Sequence, residues 1–448
     1  MTATAAAAVS DQDARVRPAA VYWPAQALAV VVFAVYTVYA LSRQATVLTA
    51  GYDLGIFDQA VRDYSRLRAP IVELKGAGYN IFADHFHPVI AVVAPLYWVW
   101  DSPSVLLVVQ SALIAASVPV VHRFAARRVG DRGALAVAFG YALGWAVQAM
   151  VDFDFHEIAF GVPLLAVAVD ALDRRDDRAL VVACALLMLT REDMGAVLVV
   201  LGLLRLRRRP RAVPVTLIAV GVTGYLVATS LVIPHFAPGG RFAYWTFDAL
   251  GPNLPRSLLA IVEHPLRTVR LLVSPSVKAQ TWAYLLVPWL LLSLRSPLIL
   301  VAAPLLAERF FNSRDYLWTT HYHYNVLPWV VLAMAAVDGG QRLGVWRSAR
   351  WRGPALTFVA AVPLVLLIWP GPTPAPIRRM ITGEAFHTTA HTRDQQAAVR
   401  QVPRNVCISV DDRLAPQLTN RNRTTEPGLT TTRTDLVVLD MSQKDVGY

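Results

Sequence analysis

Residues 179–211, ALVVACALLMLTREDMGAVLVVLGLLRLRRRPR, decide how this chain is threaded. Both flanks are apolar enough for a bilayer, yet Arg191, Glu192 and Asp193 sit at the centre. Charged groups at that depth are costly unless they are hydrated or paired. Read as one helix, the stretch sends the basic run 205–211 to the far side. Read as two short helices meeting at 190–195 (TREDMG), it brings that run back to the side it left. Arginine-rich loops are retained in the cytoplasm, and broken helices are tolerated where they line protein or water. The sequence is therefore read as two short helices with a charged turn at the outer face.

Working outward, the other short basic loops fall at 123–132 (RFAARRVGDR), 173–178 (DRRDDR) and 341–352 (QRLGVWRSARWR), with Arg295 between two further apolar runs. The same bias places them all inside. A span takes about 20 apolar residues, and candidates lie at 21–41, 103–122, 133–150, 157–172, 212–233, 280–294, 297–311, 324–337 and 354–370. Parity then makes 87–100 (HPVIAVVAPLYWVW) an interfacial helix, because a crossing there would put 123–132 outside. Its Tyr97, Trp98 and Trp100 suit the headgroup level. The segment 255–273, with spaced Arg256, Arg267 and Arg270, reads as another surface-lying helix.

The expected architecture is an all-α polytopic membrane protein of about eleven transmembrane helices. Residues 1–20 form a cytoplasmic tail without the apolar core of a removable signal peptide. Residues 21–370 form the transmembrane domain, with outer loop 1 at 43–102 and outer loop 2 at 151–157. Residues 371–448 form a small extracytoplasmic α/β-like segment. They start with a Pro-rich linker and carry strand-like runs at 406–410 (VCISV) and 436–439 (LVVL).

Composition agrees with this reading. The 448 residues are 55% hydrophobic and 16% charged, too few charges to cover a water-facing surface; mean hydropathy is +0.44. The net charge of +11 resides in short loops, with no basic groove or reader motif, which argues against nucleic acid. Cys184 lies in an apolar run and Cys407 near the C-terminus, so no structural disulfide is expected.

On this threading the acids and histidines gather on the outer side. Asp53 and Asp58 (51–59, GYDLGIFDQ) follow the first span, and each suits either a general base or a helix cap. Asp84, His85 and His87 (83–88, ADHFHP) are metal-capable, or else cap an interfacial helix or bind a phosphate. Asp152, Asp154, His156 and Glu157 (DFDFHE) follow the third span. Carboxylates two apart share a face of an extended segment and suit a divalent cation, magnesium or manganese. The alternative is a polar loop anchored by its phenylalanines. Arg191, beside Glu192, matches a phosphate by paired hydrogen bonds, or else forms an internal ion pair. Arg309, Arg314, His321, Tyr322 and His323, entering 319–325 (TTHYHYN), suit a phosphate or sugar, or an aromatic belt.

In that order, GYDLGIFDQ, ADHFHPVIAVVAPLYWVW, DFDFHE, TREDMG and HYHYNVLP resemble a family of predicted prokaryotic membrane proteins defined as a domain of unknown function (2079). The overall plan is similar to the GT-C class of membrane glycosyltransferases. That resemblance implies sugar transfer from a polyprenyl-phosphate donor to an envelope acceptor, at the outer face of the plasma membrane. It implies Asp53 as base with Asp58 as its understudy, Asp152 or Asp154 as a second acid, and Arg191 as the basic residue between two short helices. The Asp–Glu pair frequent in the first loop of that class is absent, since Leu54 follows Asp53. Two rivals remain: a transporter or flippase of a lipid-linked or anionic substrate, and a non-enzymatic envelope scaffold.

Overall fold

The structure, a computed structural model, describes residues 22–428 and 434–442. The expected N-terminal tail, 1–20, lies outside the described residues. The chain is mainly helical. Among the described residues, three helices are long and apolar enough to cross a membrane: Trp23–Ala45, Ser104–Asp152 and Ala212–Phe236. Shorter apolar helices are Pro88–Trp98, Met194–Arg205 and Arg352–Ile368.

The second of the long helices is two arms rather than one. Gly130 breaks it at φ +67, a conformation that glycine adopts without steric cost. The arms match the expected spans on either side of the basic loop. Where the key stretch was expected to break, it does: helix Asp177–Met188 ends, a turn carries Thr190–Asp193, and helix Met194–Arg205 follows. Asp176 caps the first of these through the Ala179 N–H at 3.0 Å. The second packs on helix Ala212–Val227 at glycine contacts, where a Cβ on Gly195 would stand 2.4 Å from the Gly221 carbonyl oxygen.

Two expectations need correction. The runs 280–294 and 297–311 are not continuous helices. Helix Ser276–Leu286 stops before Pro288, short 3₁₀ turns follow, and helix Ala303–Phe311 resumes. Pro288 and Pro297 each remove a backbone donor, and Leu290 and Leu291 adopt positive φ between them. Likewise 255–273 is two amphipathic helices, Leu254–Glu263 and Pro265–Val273, because Pro265 interrupts it. Their Leu258, Val262, Leu266 and Val269 are exposed, as surface-lying helices require.

Helix Val326–Arg342 runs through the centre, buried almost throughout. The basic segments gather at one end of the molecule and interlock with acids. Buried Asp170 accepts from Arg123 (2.5 Å), Arg127 (2.7 Å) and Arg174 (2.9 Å). Asp173 pairs with Arg128 at 2.5 Å, Asp177 with Arg205 at 2.7 Å and Asp338 with Arg342 at 2.6 Å.

The described part of the C-terminal segment carries a helix, Ala390–Gln401, and a parallel sheet. Its strands are β1 (Cys407–Val410), β2 (Arg423–Thr425) and β3 (Leu436–Val438), in the order β2-β1-β3. The two strand-like runs are β1 and β3; β2, with the sequence RTT, has no apolar signature to betray it. Leu54, Phe57 and Leu74 of the first loop share a core with Ile408, Val410 and Leu418 of this unit.

Candidate functional site

The first loop is held by the C-terminal unit. Asp412 accepts from the N–H groups of Gly51 and Tyr52, each at 2.7 Å, through its carbonyl and Oδ1 respectively. Gly51 allows this close approach, because a Cβ would sit 3.0 Å from Asp412 Oδ1. This pinned turn delivers Asp53 at the head of helix Ile56–Ser65.

Asp53 is half-buried, and among the described residues nothing hydrogen-bonds to its carboxylate. Burial pushes that carboxyl up to about 6, with Glu157 and Asp84 adding to the rise and His156 and Lys75 opposing it. Asp58, the expected understudy, lies elsewhere. It is fully buried, takes two hydrogen bonds from Arg62 (2.8 and 2.9 Å) and one from the Tyr97 hydroxyl (2.8 Å). Its lone pairs are committed to bracing the interfacial Pro88–Trp98 segment.

Four further segments meet around Asp53. From the end of the first loop, Asp84 receives Lys75 at 2.5 Å and the Tyr244 hydroxyl. His85 stacks on Tyr244 and contacts Glu192 through Nδ1 at 2.7 Å. Burial alone would lower the His85 imidazole; the Glu192 carboxylate overrides it and raises the group to about 9. From the second loop, His156 Nδ1 lies 2.5 Å from Glu157. From the charged turn, Arg191 reaches Asp193 at 2.5 Å, Glu308 at 3.3 Å and Glu157 at 4.0 Å. From the last segment, His323 stacks on His156 with ring centres 3.9 Å apart.

This cluster is short of hydrogen bonds. Both oxygens of Glu157, both ring nitrogens of His323, and Nδ1 of His87 and His156 are buried without an aligned protein partner. Buried polar groups are nearly always satisfied, so such a concentration marks a place where something else is bound.

Asp152 and Asp154 are not part of it. Asp152 takes Arg379 at 2.8 Å, Arg43 at 3.3 Å and the Tyr39 hydroxyl, and it lines a separate cavity of about 900 Å³. Asp154 takes Arg43 at 3.3 Å and the Ala50 N–H at 2.7 Å. The backbone turns at Asp154, which has a positive φ, and this separates the two acids from His156 and Glu157 rather than uniting all four. With guanidiniums on both acids, the set does not fit the expected magnesium or manganese ion. Nor do any three His, Cys, Asp or Glu among the described residues come together as ligands.

Arg309 is likewise removed from the expected phosphate-binding set. Buried, it donates to the carbonyl of Leu317 (2.7 and 3.0 Å) and to Asn325 Oδ1 (2.6 Å), bracing the loop between two helices. Arg314 lies over the Tyr244 ring at 4.8 Å, at the rim of the cluster. His321 is exposed, and Tyr322 packs on Phe153. Sequence reasoning missed Lys75 and Tyr244. Lys75 carried a faint signal, as one of three lysines in an arginine-rich chain; Tyr244 carried none.

The fold and the cluster define a helical membrane protein with a buried polar site built from its loops. The chain belongs to the family described as "Predicted membrane protein (DUF2079)", whose profile matches residues 43–446. No curated protein and no solved structure matches it.

Proposed function

We propose that this protein transfers a sugar from a polyprenyl-phosphate donor to an envelope acceptor, at the extracytoplasmic end of a bundle of about eleven crossings. The reading includes a cytoplasmic N-terminus and an extracytoplasmic C-terminal unit, with the arginine-rich end inside. The observation that carries it is Asp53: a half-buried carboxylate, without a hydrogen bond among the described residues and poised near pH 6, facing a cluster from four other segments. A base works best when its pKa lies near the working pH.

In the proposed step the Asp53 carboxylate takes the proton of an acceptor hydroxyl. The acceptor oxygen bonds to the anomeric carbon, and the bond from that carbon to the phosphate oxygen breaks. Polyprenyl phosphate leaves with the electron pair. Arg191, and Arg314 at the rim, face the charge that develops on it, the kind of fixed electrostatic help that usually dominates catalysis. Arg191 is already flanked by Asp193, Glu308 and Glu157, so the incoming phosphate must displace one of them.

That excess of acid favours one alternative, a proton-coupled transporter in which Asp53 and the histidines carry protons. The two readings part on one assay. Labelled lipid-linked sugars are supplied to purified wild type and Asp53→Asn in proteoliposomes. Sugar transfer that falls by about 10²–10⁴ in the variant supports catalysis. Equal turnover by both removes Asp53 from the mechanism. Acid-driven movement of the label across the bilayer without transfer supports the transporter.

A further inference from the structure

A second polar cleft, of about 500 Å³, lies between the helix Ile56–Ser65 with the strap that follows it and the C-terminal unit. It is lined by Arg62, Arg66, Arg68, Arg421 and Arg423, against two acids, Asp63 and Glu73. Two of these arginines are committed: Arg62 to Asp58 at 2.8 Å and Arg423 to Glu73 at 2.6 Å. Arg66 and Arg68 are exposed at the cleft and make no side-chain hydrogen bond or ion pair among the described residues. The cleft therefore carries a positive surplus that its own acids do not cancel.

Its walls add a second kind of unmet demand. Arg421 Nε, Asn422 Nδ2 and Thr419 Oγ1 are buried with no hydrogen-bond partner among the described residues. Thr419 is only 3% exposed, so the cost of leaving its hydroxyl bare falls on the folded protein unless a ligand or water meets it. Asn405 and Asn420 complete a wall of amides. Guanidiniums select anionic groups, and convergent amides and hydroxyls select ligands rich in hydroxyls. The cleft is of a size that holds a small ligand or a short oligomer.

We propose that this cleft binds a short anionic glycan segment, one bearing carboxylate or phosphate groups. On the sugar-transfer reading, it holds the acceptor. The cleft shares no lining residue with the Asp53 cluster, but the two are joined through the first loop. Gln59 lines the cleft, donates to the Thr424 carbonyl of β2 at 2.8 Å, and accepts the Leu74 N–H at 3.1 Å, next to Lys75. A chain anchored in the cleft is thus tethered to the loop that carries the base.

The test is equilibrium binding by the full chain in phosphatidylcholine nanodiscs. The probes are an oligogalacturonate, a glycerol-phosphate oligomer, an uncharged malto-oligosaccharide of equal length and inorganic phosphate. At least one anionic oligomer binds, its affinity falls with salt, and the preferred oligomer identifies carboxylate or phosphate as the charge. Arg66→Gln with Arg68→Gln, both surface changes, weakens binding at least tenfold, as does Arg421→Gln. Arg378→Gln, in the other cavity, leaves it unchanged. Asp53→Asn also binds as wild type does, so loss of the catalytic reading leaves this one standing. The proposal is overturned if wild type binds no oligomer, if the malto-oligosaccharide or phosphate alone binds as tightly, or if the paired variant binds normally.

Discussion

The two ends of this molecule are both crowded with charge and use it in opposite ways. At the arginine-rich end the acids are matched. Asp170 alone takes three guanidiniums, and Asp173, Asp177 and Asp338 each hold at least one. At the other end Glu157 and His156 lie 2.5 Å apart without an aligned hydrogen bond, and ring nitrogens of His323 and His87 are buried and unmet among the described residues. Matched charge fixes where loops lie and is finished when the protein folds. Unmatched buried charge costs stability in the resting protein and is kept where a ligand will complete it. Composition does not separate the two ends; the pairing does.

The largest effects should come from breaking one group at each end. Glu157→Gln keeps the shape and removes the charge that neighbours Asp53, His156 and Arg191. Stability should stay within about 1 kcal/mol, because no aligned hydrogen bond is lost, while turnover drops by about 10². Asp170→Ala should do the reverse. Its cost is about 2–3 kcal/mol, less than for a fully buried pair because the arginines are partly exposed and regain water. The fraction that stays folded should turn over normally. Thermal melts beside sugar-transfer assays read both. If Glu157→Gln unfolds the protein and leaves the rate alone, the contrast between the ends collapses.

Much of this was legible in the sequence because it rests on local rules. Charge at the centre of 179–211 signalled a broken helix, arginine loops signalled one shared end, and VCISV and LVVL signalled strands. Five motifs named the segments that now meet. What stayed hidden depended on which way a side chain turns. DFDFHE reads as one acidic site, yet Asp152 and Asp154 turn to Arg43 and Arg379, while Glu157 turns to Arg191. Asp53 and Asp58 look interchangeable, yet helix geometry sets Arg62 one turn from Asp58, and that pairing removes it. Arg309 looks like a phosphate ligand until Leu317 and Asn325 are folded against it. Apart from Arg62, none of these partners is fixed by spacing along the chain.

A pH profile sharpens the picture of the unmatched end. With the Asp53 carboxyl at about 6, chiefly through burial, the base is ionised above that pH and protonated below it. The rate should be level above about pH 6 and fall about tenfold per unit beneath it. Glu157 contributes to the raised value, so the residual activity of Glu157→Gln should turn down at a lower pH than wild type. A midpoint that does not move would mean that the titrating group is not beside Glu157.

The last test concerns one of the matched pairs within that end, His85 with Glu192. His85 is raised from its ordinary 6.5 to about 9, because Glu192 outweighs the burial penalty on the cation. A group raised in the folded state lends its full stability below its unfolded value and loses it as pH climbs through the folded one. The melting temperature should therefore decline between about pH 6.5 and 9, reflecting a loss of up to about 3 kcal/mol. Other groups titrate in that window, so the slope alone decides nothing. Glu192→Gln isolates the pair: it removes the carboxylate that holds the proton on His85, and the decline should flatten by that amount. Equal slopes in wild type and variant would show that His85 is already neutral.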